Sequence, residues 1–210
     1  MMKKYQLWDG SAKDFLEIIK KTKIKTSNKK RKYLRILDKV ELIDGERKIS
    51  IEPNDLSFEV DFQLNYVNEI IGKQKNIVNF QNDDLEEVFT SRTFCLFEDI
   101  EKIKKAGLAK GGSLENAVVV DGDKVLNEDG LRNQKEFVNH KILDLAGDFL
   151  LSGHRILGKV KCYQGGHELT NKFLRKLLKS KSATSIINLD NIAISKRENS
   201  DQSIKLAVNA

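Results

Sequence analysis

Residues 33–64 read YLRILDKVELIDGERKISIEPNDLSFEVDFQL. Apolar and polar residues alternate here with a period of two, the spacing that puts successive side chains on opposite faces of a strand. Tyr33 to Ile43 and Lys48 to Ile51 flank Asp44-Gly45, a pair suited to the type I′ turn of a tight hairpin. Ser57 to Leu64 then carries Phe58, Val60, Phe62 and Leu64 on one side. The three runs together predict an antiparallel sheet with one buried face.

Upstream, Ser11 is expected to cap a short helix whose Phe15, Leu16, Ile18 and Ile19 recur at helical spacing. Lys20 to Lys32 is almost devoid of apolar residues and reads as a solvated basic connector. It lacks the interleaved aromatics on which bases would stack, so a nucleic-acid partner is not expected. Downstream, Asn76 to Phe80 reads as a strand, Asp83 to Phe89 as a helix opened by acidic residues, and Asp99 to Lys105 as a helix stopped at Gly107. Ala117 to Val120 and Val125-Leu126 enclose a second turn at Asp121-Gly122. The most regular helix is predicted from Gln134 to Leu151, with Val138, Ile142, Leu145 and Phe149 on one face, and Gly153 ending it. His154 to Tyr163 reads as a strand, Gly165-Gly166 as a turn and His167 to Leu178 as an amphipathic helix. Beyond Ser180 the chain is polar, with a short strand expected at Ile192 to Ile194. Strands and helices without regular βαβ alternation predict an α+β fold, a two-layer sandwich of a mostly antiparallel sheet packed on helices.

Composition narrows the function. The 210 residues are 40% hydrophobic and 32% charged, which excludes a fibre or a disordered tail. Lys plus Arg number 37 against 31 Asp plus Glu, a net charge of +6 that favours an anionic ligand such as a nucleotide or phosphorylated sugar. Cys95 and Cys162 are isolated, which argues against a disulfide framework and suggests a reducing compartment. The start of the chain has no apolar h-region, and no run of 18 apolar residues is present to span a bilayer.

Glu136, His140, Asp144 and Asp148 are spaced by four and stack as one polar stripe on the otherwise apolar helix. His and Asp one turn apart can reach a single metal ion, and zinc takes both donor types. A solvent-facing stripe is the plainer alternative. His167, after Gly165-Gly166, completes a conceivable set of three ligands with His140 and Asp144. Glu136 and Glu168 are then the nearby carboxylates available for acid or base work.

Six motifs in order carry a resemblance: Asp9-Gly10-Ser11-Ala12, Ser91-Arg92-Thr93-Phe94, Lys110-Gly111-Gly112-Ser113, Val125 to Arg132, His140 to Asp148, and Gly166-His167. From Trp8 to about Leu178 the chain resembles the zinc-dependent UDP-3-O-acyl-N-acetylglucosamine deacetylases of lipid A biosynthesis, which are cytoplasmic enzymes. The resemblance implies that His140 and Asp144 are zinc ligands and that His167 is the general acid, so the three-ligand set is not expected to hold. It implies that Asp148 orients His167 and that Thr93 bonds the developing oxyanion. Phe94 and Lys141 would line the substrate site. An insert at about 94–123, βαβ-like, would form the acyl-chain passage with Leu96, Ile100, Ile103, Leu108 and Val118. The family has two similar halves, with a third ligand His and a general-base Glu in the first. The chain is therefore expected to comprise a closing helix of that first half and a linker (1–27), the second deacetylase domain (28–180) and a polar tail (181–210). On that view the isolated chain is inactive, is completed by a separately encoded N-terminal half, or serves as a non-catalytic module binding the nucleotide sugar and acyl chain.

Overall fold

The computed structural model describes residues 8–25, 27–54, 56–107, 109 and 111–189. The strand expected at 192–194, and Leu108 and Lys110 of the insert, lie outside the described residues. The chain runs α1 (Lys13–Lys21), β1 (Arg31–Ile36), β2 (Val40–Asp44), β3 (Arg47–Glu52), β4 (Phe58–Asn65), β5 (Lys73–Asn79) and α2 (Glu86–Thr90). It continues through β6 (Phe94–Leu96), α3 (Ile100–Lys105), β7 (Val118–Asp121), β8 (Lys124–Val125), α4 (Glu136–Leu150), β9 (Arg155–Tyr163), α5 (His167–Lys179) and β10 (Thr184–Leu189).

The α+β expectation holds. Strand β9 is the spine of a seven-stranded sheet. On one side β4 runs parallel to it, pairing Val60 with Val160 and Phe62 with Cys162. On the other side β1 lies parallel to its beginning and β3 antiparallel to its end. The hairpin β2–β3 turns at Asp44-Gly45 as its residues predict, with Gly45 at a φ of +62° that a side chain would strain. The alternation decides which face is covered. Ile49, Ile51, Val60, Phe62, Val160 and Cys162 point inward and are buried, each aliphatic or aromatic side chain contributing about 1.5–3 kcal/mol by leaving water. Helices α4 and α5 close that face, α4 over β4 and β5 and α5 over β2 and β3. Gly158 of β9 is needed for close packing, since a Cβ there would meet Ile36 Cγ1 at 2.8 Å and Ile51 Cδ1 at 2.9 Å.

The insert is a small βαβ unit, β6 and β7 pairing in parallel with α3 between them and β8 turning back on β7. Four local expectations change. The run from Tyr33 to Ile43 is not one strand but two, β1 beside β9 and β2 beside β3. Ser11 is not the cap: α1 begins at Lys13 after Ala12, and Ser11 Oγ instead accepts from the Lys13 amide while donating to Asp9. Helix α2 starts only at Glu86, the Asp84 carboxylate accepting its amide at 2.9 Å. Residues 184–189, within the stretch expected as a tail, form β10 and pair antiparallel with β1.

Candidate active site

Helix α4 carries the stripe, and its two ends have different surroundings. Glu136 is fully buried and His140 nearly so, so the stripe is not a solvent face. His140 Nδ1 lies 3.0 Å from the Ser91 carbonyl oxygen, an acceptor only, so the bond requires the proton on Nδ1. That leaves the Nε2 lone pair facing Asp144 Oδ1 at 3.3 Å. Two electron-pair donors so placed repel each other unless a proton or a cation lies between them, which is the chemistry of a metal-ligand pair. Burial pushes the Asp144 carboxyl up, but where His140 is the imidazolium and its Nε2–H bonds the carboxylate, that bond and charge, with Lys141 and His167, outweigh burial and hold it at about 2.

His167 opens α5, after Gln164 in the left-handed region (φ +52°) and Gly165 packed against Cys162 and Phe62. Its ring is 68% exposed. Nδ1 is 2.9 Å from Asp148 Oδ2, and Nε2 stands 3.8 Å from Asp144 Oδ2. His167 therefore flanks the pair with one nitrogen already engaged. Among the described residues no group of three His, Cys, Asp or Glu side chains is arranged to hold a metal. The remaining histidine, His154, lies at the rim of an apolar groove beside α1.

Lys141, one residue after His140, reaches Asp144 Oδ2 at 3.1 Å and places its ammonium 5.5 Å from the centre of the Phe94 ring. Phe94 is half-buried, edge-on to Phe137 at 4.9 Å and to Tyr66 at 6.0 Å. Thr93 precedes it, its amide donating to the Gly10 carbonyl at 2.9 Å and its carbonyl accepting from Val118 at 2.7 Å. Gly10 is obligatory there: its φ is +77° and a Cβ would lie 2.0 Å from the Asn116 carbonyl oxygen. Leu96 and Ile100 begin the insert, both half-buried, and Leu96 packs on the core.

Glu136 is not available as a base. Its Oε1 accepts from Arg92 Nε at 2.8 Å and the Arg92 amide at 3.0 Å, and its Oε2 from Arg92 Nη2 at 3.2 Å and the Arg132 amide at 2.7 Å. Arg92 is 3% exposed and also binds Asp129 and the Gly130 carbonyl. Burial works against its charge, and Glu136 and Asp129 more than compensate, raising its pKa. Glu168, the other carboxylate considered, is exposed and paired with Lys172 at 2.8 Å. The sequence pointed to Glu136 through its place on the stripe, but nothing in the spacing named a partner 44 positions away.

A family model described as UDP-3-O-acyl N-acetylglycosamine deacetylase matches residues 4–179. Curated proteins named UDP-3-O-acyl-N-acetylglucosamine deacetylase are similar over most of the chain. The one from Pseudoalteromonas translucida is 40% identical over 180 residues, 84% of this chain and 59% of the relative. That from Syntrophotalea carbinolica is 41% identical over 171 residues, 81% of this chain and 55% of the relative. That from Pseudomonas entomophila is 40% identical over 184 residues, 86% of this chain and 60% of the relative. The chain thus spans less than two thirds of the length of these relatives.

Proposed function

The chain belongs to the UDP-3-O-acyl-N-acetylglycosamine deacetylase family, and from that membership we propose that it carries the metal-binding and proton-donating side of a site that hydrolyses the N-acetyl group of UDP-3-O-acyl-N-acetylglucosamine in lipid A biosynthesis. The observation that carries this reading is the convergence of the His140 Nε2 lone pair and Asp144 Oδ1, with the His167–Asp148 pair at their side. His140 and Asp144 are a fitting donor set for Zn2+, and a third donor and the water-activating carboxylate come from outside the described residues. Bound there, the ion supplies Lewis acidity to the amide carbonyl and acidity to a water molecule.

The chain's own groups do the rest. Asp148 accepts the Nδ1 proton of His167 and stabilises the charged imidazolium, so Nε2 presents a proton toward the Asp144 side, where the departing amine needs one. Thr93, fixed by Gly10 and Val118, donates its hydroxyl to the oxygen that gains charge. Phe94 and Lys141 receive the sugar and its charged substituent, and Leu96 and Ile100 open the acyl passage. The reading places the protein in the cytoplasm, and no described helix is long and apolar enough to cross a membrane.

A specific surface supports completion by a separate polypeptide equivalent to the relatives' N-terminal half. Phe15, Ile18 and Ile19 of α1 are exposed, and beside them α1 and α4 border an apolar groove of about 430 Å³ lined by Leu16, Phe89, Leu143, Ala146 and Leu150. Mixing the chain with the N-terminal half of a relative tests both statements. The expected result is acetate release from UDP-3-O-acyl-N-acetylglucosamine by the mixture, absent with either part alone and abolished by a chelator or by His140→Ala. A mixture that leaves the substrate intact refutes the proposal, and UDP binding that persists in chelator favours the binding module instead.

A further inference from the structure

We propose that Asp9, Gly10 and Arg132 are positioning residues that aim the Thr93 hydroxyl. The proposal rests on the preceding reading only in taking Thr93 as the donor to the oxygen that gains charge. A threonine can turn about its Cα–Cβ bond to put its hydroxyl or its methyl in the same place, and one rotamer prevails only where the surroundings choose. Among the described residues the Thr93 hydroxyl has no hydrogen-bond partner, so the hydroxyl does not make that choice. The methyl makes it. Thr93 Cγ2 lies 3.4 Å from the point where a Cβ of Gly10 would stand. The methyl therefore faces the side of Gly10 that carries no side chain, and the hydroxyl takes one of the other directions left on Cβ.

This seat is only as firm as the strap that carries it. Residues 9–12 lie along 89–93, Ala12 donating its amide to the Phe89 carbonyl and Thr93 its amide to the Gly10 carbonyl, both at 2.9 Å. These two bonds leave the end at Asp9 loose, and Arg132 closes it. Arg132 Nη1 donates to Asp9 Oδ2 and to the Thr90 carbonyl, both at 2.8 Å, which ties the strap to the segment that carries Thr93. Asp9 also accepts from the Ser11 amide at 3.0 Å and the Ser11 hydroxyl at 2.8 Å, so the bend around Gly10 is fixed on both sides. The Arg132 amide in turn donates to Glu136, which anchors the clamp on the first turn of α4.

The test separates aiming from stability. Both clamp bonds leave from one nitrogen, so a lysine ammonium with its three donors can supply them where an apolar side chain cannot. Three-bond NMR couplings of the Thr93 methyl carbon to the carbonyl carbon and amide nitrogen, measured on the full chain, report its rotamer. The parent chain should show one dominant rotamer. In Arg132→Met the ratio of that rotamer to the others should fall at least fivefold, and Arg132→Lys should bring it back to within twofold of the parent. Asp9→Asn, which keeps the shape and weakens the clamp, is the second variant and should lower the ratio at least twofold. Thr170, whose hydroxyl donates to the Gly166 carbonyl at 3.1 Å, should keep its rotamer throughout and marks an intact fold. In the mixture with an N-terminal half, Arg132→Met should lower kcat at least tenfold with KM changed less than twofold. An averaged Thr93 rotamer in the parent, an unchanged ratio in a folded variant, or a loss confined to KM overturns the proposal. An inactive parent mixture refutes the deacetylase reading instead, and the rotamer ratio still decides this one.

Discussion

Two sets of ion pairs in this molecule have nearly the same bond lengths and opposite surroundings. Inside, Arg92 and Glu136 meet at 2.8 Å between a loop and the first turn of α4, with the carboxylate fully buried. On the outer face of the sheet Lys159 meets Glu59 at 2.7 Å and Lys161 meets Glu52 at 3.0 Å, both pairs open to solvent. The inner pair also carries backbone amides, so removing one member leaves a buried charge and orphaned donors. The outer pairs exchange freely with water and salt. Distance alone therefore ranks nothing here; burial and the number of dependent groups do.

The largest effect should come from halving the inner pair. Glu136→Ala is expected to cost about 3–5 kcal/mol, read as a lower urea midpoint, because the buried Arg92 guanidinium keeps only its Asp129 and Gly130 contacts and the Arg92 and Arg132 amides lose their acceptor. A smaller effect should come from a buried ionisable group with no charged partner. Burial pushes the Cys162 thiol from 9.0 up to about 12, so between those values the unfolded chain has lost a proton that the folded chain keeps. Stability is complete below about pH 9 and should fall by on the order of 3 kcal/mol as pH approaches 12, a slope that Cys162→Ala removes. The smallest effect belongs to the outer face, where Glu59→Gln should shift stability by no more than about 1 kcal/mol, and less in high salt. A Glu59 variant as damaging as the Glu136 variant would erase the contrast.

The same contrast explains what could be read from sequence. Period-two strands, the turns at Asp44-Gly45 and Asp121-Gly122, and the apolar face of α4 are local patterns that appear where predicted, except that the run Tyr33 to Ile43 divides into β1 and β2, whose partners differ. Strand β10 was not legible, because Thr184–Leu189 is an edge strand whose definition lies in its pairing with β1, some 150 residues earlier. The site divides likewise. The His140–Asp144 pair follows from one helical turn, whereas the Ser91 carbonyl that orients the imidazole and the Arg92 fork that saturates Glu136 depend on tertiary register. On the stripe alone Glu136 reads as a candidate base, whereas in the fold four donors occupy its two oxygens.

The central claim is that His140 and Asp144 form one metal-binding pair. Calorimetric titration of the chain with Zn2+, beside His140→Ala and Asp144→Ala, tests it most directly. The account predicts one zinc bound per chain, weakly for a site with two protein donors, with at least a tenfold loss of affinity in either variant. Equal zinc binding by the parent chain and both variants would contradict it.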